Sequence, residues 1–164
     1  MMEISFRPVE HRDFPLLLAW LARPHVREWW DNGDDTLEKV AAHYGSPSAA
    51  RFIALQGEGR PIGYIQYYRA DADEVGVDMF LGEPELVGRG VGTATLRAFL
   101  GLVAQREHPR TVIVDPDPRN GRAIRCYTKV GFQPVATITN DDGHPALIMR
   151  LDLRTPTPDK EGTT

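Results

Sequence analysis

The stretch LVGRGVGTATLRAFL, residues 86–100, constrains this chain more than any other. Gly88, Gly90 and Gly92 alternate with Arg89 and Val91, and an apolar stripe at helical spacing follows at once: Ala94, Leu96, Phe99, Leu100 and Val103. A helix start carries several backbone N–H groups with no partner inside the helix, and the helix dipole adds partial positive charge there. Glycines at that point let an anion approach the backbone. The segment from Val87 through Gly88, Arg89, Gly90, Val91 and Gly92 to Thr93 therefore reads as a cradle for a diphosphate, with Arg89 adding a full positive charge. A plain glycine-rich turn between strand and helix is the other reading. A nucleotide P-loop would end in Gly-Lys-Ser/Thr, but Gly92 is followed by Thr93. A dinucleotide fingerprint, Gly-x-Gly-x-x-Gly, needs glycine at the sixth place, and Thr93 or Thr95 stands there.

Around this loop the pattern is that of an α/β domain with a mixed sheet. EISFRPV alternates as a strand does. Asp13 can cap a helix carrying Phe14, Leu17, Leu18 and Leu21 on one face, and PHVREWW and TLEKVAAHY read as shorter helices. RFIALQG and IGYIQYY flank the turn EGRP as a hairpin, and VGVDMFLG is a third strand. After the glycine-led helix comes TVIVD, a short apolar run suited to a strand buried on both faces. NGRAIRCYTKVGF reads as a helix capped by Asn120 and stopped by Gly131, and FQPVATI and HPALIMRLDL close the chain as a second hairpin. The expected organisation is one domain over residues 1–153, with RTPTPDKEGTT giving a disordered tail at 154–164.

Composition narrows the function. A net charge of −4 disfavours a nucleic-acid partner, because phosphate binding needs clustered lysine and arginine. No apolar run approaches the ~20 residues of a membrane span. The start MMEISFRPVEHRDF lacks a basic region followed by an apolar stretch, so no secretory signal and a cytoplasmic location are expected. The single cysteine, Cys126, excludes an internal disulfide and a cysteine-cluster metal site, and no metal is implied. Acidic residues gather in three places: Asp71, Asp73, Glu74 and Asp78; Asp115 and Asp117; Asp141 and Asp142. They read as solvated surface or, if they converge on one cleft, as an attraction for a cation.

The GRGVGT loop after a strand, followed by VDPDPRNGRAIRCYTKVGF, resembles the Gcn5-related N-acetyltransferases (GNAT), over about residues 4 to 152. The resemblance implies a single-domain fold with a mixed, mostly antiparallel sheet flanked by helices. In it VDMFLG would splay from TVIVD, the pantetheine arm of acetyl-coenzyme A would lie in the gap, and the loop amides would hold its pyrophosphate. LLLAWLARPHVREWW, GYIQYY, GVDMF and DPDPRNGRAIRCYTKVGF further resemble aminoglycoside 6′-N-acetyltransferases, which acetylate a primary amine on a cationic sugar.

Each site residue then carries two readings. By resemblance, Asp78 takes the proton of the incoming ammonium and Tyr127 protonates the leaving sulfur. On the residues alone, Asp78 is a surface aspartate, although Asp is depleted in strands, and Tyr127 a core residue beside Ala123 and Ile124. By resemblance, Asn120 touches the pantetheine, and the backbone amide of Met79 or Phe80 holds the thioester carbonyl. Asn120 is otherwise a helix cap. Asp115 and Asp142 match positions that bind the acceptor's ammonium groups, yet Asp142 also suits the turn NDDG for backbone reasons. Trp29, Trp30 and Gln66 match parts of the acceptor cleft, and adjacent tryptophans on a helix cannot both face it.

The chain also departs from the pattern. Val87 stands where many family members carry Gln or Arg, Met79 replaces a glutamine, and RADADE is a shortened, tryptophan-free version of a longer segment. A related branch that acylates lysine-type amines for siderophores shares WL…PHV…WW but has His at the place of Asp78. A non-catalytic acyl-coenzyme A-binding domain would lose the acid and base, and both Asp78 and Tyr127 are present. Acetylation of a peptide or protein, and a monomer or a homodimer, all stay compatible with the sequence.

Overall fold

The computed structural model describes residues 3–153, and the tail expected at 154–164 lies outside the described residues. The order of elements is β1 (Ile4–Pro8), α1 (Phe14–Leu21), α2 (Pro24–Arg27), α3 (Leu37–Tyr44), β2 (Ala50–Gln56), β3 (Arg60–Arg69), β4 (Glu74–Leu81), α4 (Val91–Glu107), β5 (Thr111–Val114), α5 (Gly121–Val130), β6 (Gln133–Thr139) and β7 (Pro145–Asp152). Every segment read as strand or helix forms. The piece ending in Trp29 and Trp30 is shorter than its pattern suggested, because the helix stops at Arg27.

The strands make one seven-stranded sheet in the order β1-β2-β3-β4-β5-β7-β6. Among the described residues only β4 and β5 run parallel. Strand side chains alternate between faces, and so neighbouring residues enter different cores. Phe52, Ile65, Val75 and Val77 pack with Leu96, Phe99 and Val103 of α4 and with Tyr127 of α5. Ile53, Tyr64 and Phe80 pack on the opposite face with Leu17 and Trp20 of α1 and Val40 and Tyr44 of α3.

The parallel pair is brief. Glu74, Val75 and Gly76 of β4 lie opposite Thr111, Val112 and Ile113, and the pairing ends there. Beyond it β4 stays with β3 as far as Gly63↔Leu81. The chain leaving β5 stays with β7 instead: Val114 faces Met149, and the Leu147 N–H donates to the Pro116 carbonyl at 2.8 Å. Pro116 and Pro118 lack the N–H groups that would extend β5 as a regular strand. A wedge therefore opens between β4 and the end of β5, starting just before Asp78.

At the apex of the wedge Tyr68 of β3 stands opposite Gly76 of β4. A Cβ added to Gly76 would clash with the hydroxyl end of the Tyr68 ring, so the phenol lies directly against the glycine. Gly76→Ala is expected to cost about 1–3 kcal/mol through overpacking. Urea unfolding checks it, and an unchanged midpoint would show that the ring moves aside freely.

Candidate active site

The glycine loop forms the foot of the wedge. Gly88 and Gly90 both adopt φ +80°, a left-handed conformation that L side chains rarely enter. Nothing lies within 4 Å of a Cβ built at either position, so backbone conformation rather than crowding requires glycine there. Gly90 is the N-cap of α4 and offers no side chain to the first turn. The Ala94 N–H returns to the Gly90 carbonyl at 3.0 Å, and the N–H groups of Val91, Gly92 and Thr93 precede that first helical bond. Arg89 is exposed, and no ion pair holds it among the described residues. These are the properties a diphosphate cradle requires: uncapped amides, open space and an uncommitted cation.

Helices α1 and α2 fix the chain entering this loop. The Trp20 indole donates to Glu83 at 2.7 Å. Arg23 donates to the Gly82 carbonyl at 2.7 Å and pairs with Glu83 at 3.1 Å. His25 Nε2 meets the Leu81 carbonyl at 2.9 Å, with the imidazole as donor because a carbonyl only accepts. The WLARPH segment is thus a clamp on the last residues of β4.

Asp78 lies on the floor of the wedge. Gln66, its partner across β3 and β4, donates from Nε2 to Asp78 Oδ2 at 2.9 Å. The Gln66 carbonyl oxygen is spent inside the protein, on Arg51 at 2.8 Å and Tyr64 at 2.5 Å. Asp115, the residue after β5, closes from the other side, and its carboxyl is hydrogen-bonded with that of Asp78. Burial pushes Asp78 above the ordinary carboxylate range, against the hydrogen bonds from Gln66 and Asp115. Burial, then the charge of Asp78, pushes Asp115 up to about 7. Two carboxyls in such contact hold one proton between them. Asp115 is open to solvent at the mouth, and water there screens part of the repulsion.

Tyr127 of α5 is buried against Phe132, with ring centroids 5.8 Å apart. Burial, then the charges of Asp78, Cys126 and Asp115, raise its phenol well above the usual value. It therefore stays protonated and can act as a proton donor beside the carboxyl pair. Tyr68 is raised by burial and by Asp78, Asp115 and Glu74, which makes it a second phenol at the same pair. Sequence reasoning missed Tyr68. The signal was its register with Gly76, which a single chain read without its pairing does not display.

Along β4 the even-numbered residues turn their backbone polar groups to β3. The Gly82 N–H donates to the Ile62 carbonyl, and the Glu74 carbonyl accepts from Ala70, each at 2.9 Å. Antiparallel alternation gives Phe80 the same direction. Its amide is thus spent on β3, whereas that of Met79 faces the wedge, past the last residue paired with β5.

Asn120 caps α5, its Oδ1 accepting from the Ala123 N–H at 3.2 Å, while its amide nitrogen has no partner among the described residues. Of the tryptophans, Trp29 is 40% exposed. Trp30 packs edge-on to Phe80 at 5.1 Å and donates to the Tyr44 hydroxyl at 3.1 Å. It also borders a surface hollow of about 540 Å³ beside Asp31, Asp34 and Asp35. Asp142 is exposed in the β6–β7 turn, where its N–H bonds the Asn140 side chain at 3.0 Å, and it does not join the Asp78–Asp115 pair. Among the described residues no group of three or more His, Cys, Asp or Glu is placed to hold a metal ion. No described helix is long and apolar enough to cross a membrane.

A sheet opened between its one parallel pair, with a glycine-led helix at the opening, defines the class. The family model described as an acetyltransferase (GNAT) domain matches residues 10–140, and the chain belongs to that family. It is an acyltransferase similar to aminoglycoside N(6′)-acetyltransferase type 1 of Klebsiella pneumoniae, with 34% identity over 165 residues, 89% of this chain and 81% of the relative. Among solved structures it is similar to aminoglycoside acetyltransferase AAC(6′)-Ib in complex with coenzyme A, with TM-score 0.83, 33% identity, and 93% of this chain and 96% of that one covered. The complex of AAC(6′)-Ib with ribostamycin and coenzyme A gives TM-score 0.85 at 32% identity, covering 93% and 94%.

The carboxyl pair links stability to pH. An unfolded aspartate titrates near 3.9, and Asp115 is raised in the fold to about 7. Protonation then favours the folded state, so this contribution is full below about pH 4 and is lost as pH rises through 7. Asp115→Asn removes the titration. Its stability relative to the parent chain is expected to increase steadily from pH 5 to pH 8 in urea unfolding, and a difference independent of pH would refute the shared proton.

Proposed function

We propose that this chain transfers the acetyl group of acetyl-coenzyme A to the 6′-amino group of an aminoglycoside, with Asp78 as base and Tyr127 as acid. One observation carries the reading: a wedge whose foot is an uncapped, glycine-built helix start holds a carboxyl pair, and the buried phenol of Tyr127 feels the charge of that pair. The aminoglycosides that the relatives acetylate or bind supply the acceptor class. Asp71, Asp73, Asp115, Asp141 and Asp142 are exposed acids that favour a polycation, and their attraction weakens with salt.

The amides of Val91, Gly92 and Thr93, with Arg89, bind the diphosphate, and the wedge receives the pantetheine arm with its activated acyl group. Asn120 contributes its unpartnered amide nitrogen to that arm. The Met79 N–H is the donor available to the thioester carbonyl, where charge develops. Asp115 holds the cationic acceptor, and the approach of an ammonium favours the anionic form of the carboxyl pair. Asp78 then takes one proton from the ammonium, directly or through water. The freed amine forms the new C–N bond as the C–S bond breaks, and Tyr127 gives its proton to the departing sulfur. The acylated nitrogen sheds its second proton, which passes through water to the phenolate, Asp78 releases its own proton to solvent, and the protein ends unchanged.

Asp78→Asn and Tyr127→Phe are each expected to lower kcat by about 10²–10⁴-fold, with the dissociation constant for acetyl-coenzyme A within about twofold of the parent. Thiol release measured with kanamycin, a lysine derivative and a short peptide checks both the roles and the acceptor. Unchanged turnover in Asp78→Asn would remove the base assignment, and release stimulated only by the lysine derivative or the peptide would remove the aminoglycoside.

A further inference from the structure

Arg51 is 8% exposed, and no ion pair involving it forms among the described residues. A buried cation without a carboxylate is costly, so its position calls for a cause. Its guanidinium donates to the Tyr64 hydroxyl at 3.0 Å, to Gln66 Oε1 at 2.8 Å, to Ser48 Oγ at 2.9 Å and to the Ser46 carbonyl at 3.2 Å. It also sits 5.7 Å from the Tyr44 ring centroid. The register explains its aim. Arg51 pairs with Gln66 across β2 and β3, and Gln66 pairs with Asp78 across β3 and β4. The three side chains form one row across three strands, on one face of the sheet.

We propose that Arg51 is a positioning residue for the catalytic base: it fixes the orientation of the Gln66 amide so that a donor, never an acceptor, is presented to Asp78. The inference rests on the reading of Asp78 as the base. A glutamine amide has two nearly isosteric ends, and only its surroundings choose between them. Guanidinium has donors alone. Turning the amide over would set NH₂ against Arg51 and oxygen against the Asp78 carboxyl, opposing like with like at both ends. With Arg51 in place, Gln66 Oε1 is fully occupied by Arg51 and Tyr64, and Nε2 must point to Asp78 Oδ2. That bond favours the carboxylate and offsets burial, which keeps the base ionised at a lower pH than the wedge alone would allow. The Arg51 guanidinium lies over the Tyr44 ring and makes the row.

The other titrating groups whose charge acts with that of Asp78 are Asp115 after β5, Tyr64 and Tyr68 on β3 and Tyr127 on α5. Substitution of Arg51 leaves each of them in place. The test is a ¹³C-carboxyl NMR titration of the aspartate-labelled full chain, with Asp78 and Asp115 signals assigned by Asp78→Asn and Asp115→Asn. Arg51→Met is expected to raise the Asp78 midpoint by about one pH unit, a tenfold change in the ionisation equilibrium. Gln66→Leu is expected to do the same, and the double variant no more than either single one. With kanamycin as acceptor, the acidic limb of kcat/KM moves up equally while KM for acetyl-coenzyme A stays within about twofold. An Asp78 midpoint unmoved in Arg51→Met, or single shifts that simply add, would overturn the positioning role. Should Arg51→Met fail to fold, Arg51→Gln, whose amide offers both donor and acceptor and so fixes neither orientation of Gln66, carries the same comparison against Gln66→Leu. Loss of the base reading shows separately, as full turnover in Asp78→Asn whatever the titration reports.

Discussion

Parallel pairing between β4 and β5 lasts from Glu74 to Gly76, and the site exists because it stops there. Had the ladder continued, Met79 would have spent its amide on β5, and the carboxyls of Asp78 and Asp115 would have been neighbours on a continuous sheet with nothing between the strands. Each strand is instead held by its other partner, β4 by β3 and β5 by β7. The wedge is therefore a rigid gap between two satisfied ladders rather than a frayed edge. Its exposed backbone groups are few, and they face the place where an extended arm with its own amides can lie. A cleft made this way needs no loop movement to form, and its width follows from the twist and register of the sheet.

The supports around the wedge come from regular elements. Asp78 and Gln66 stand on strands, Tyr127 on α5 with Asn120 at its N-cap, and the amides proposed to hold a diphosphate at the start of α4. The loop before α4 is the one irregular part, and Trp20, Arg23 and His25 tie its entry to α1 and α2. Those three bonds explain why an N-terminal helical segment shares in a site assembled by the middle of the chain. They fix where β4 ends, and hence where the first free amides of α4 point. Sites built on such elements hold their geometry more tightly than sites carried on loops alone.

Much of this was legible in sequence because it depends on local pattern. The glycine alternation before Ala94, Leu96 and Phe99 marks a helix start with open amides, and strands such as TVIVD announce themselves by composition. Asp78 is read as a site residue by resemblance, and the scarcity of aspartate in strands only supports a role. What escaped depends on pairing. Tyr68 matters through its place opposite Gly76, and Arg51 through a row that crosses three strands. The choice between Met79 and Phe80 is a question of which amide faces which neighbour, and a shift of one residue in register would reverse it. Likewise, adjacent tryptophans could be assigned to different surroundings in principle, but only the packing of Trp30 on Phe80 and Tyr44 says which is which.

The electrostatics of the wedge follow from the same geometry. Two carboxyls and the phenols of Tyr68 and Tyr127 act on one another there, and Arg51, on the same row of the sheet as Asp78, reaches only as far as Gln66. An arginine one step closer would have paired directly with Asp78, lowered it strongly and removed it as a proton acceptor. A neutral residue in its place would have left the Gln66 amide free to turn and the carboxyl to its burial. Passing the charge through one amide gives an intermediate result. The carboxyl gains a single fixed donor, keeps its proximity to Asp115, and remains open to an incoming cation. On this view the buried cation tunes the base indirectly, and the site keeps its own positive charge out of the way of a positively charged acceptor.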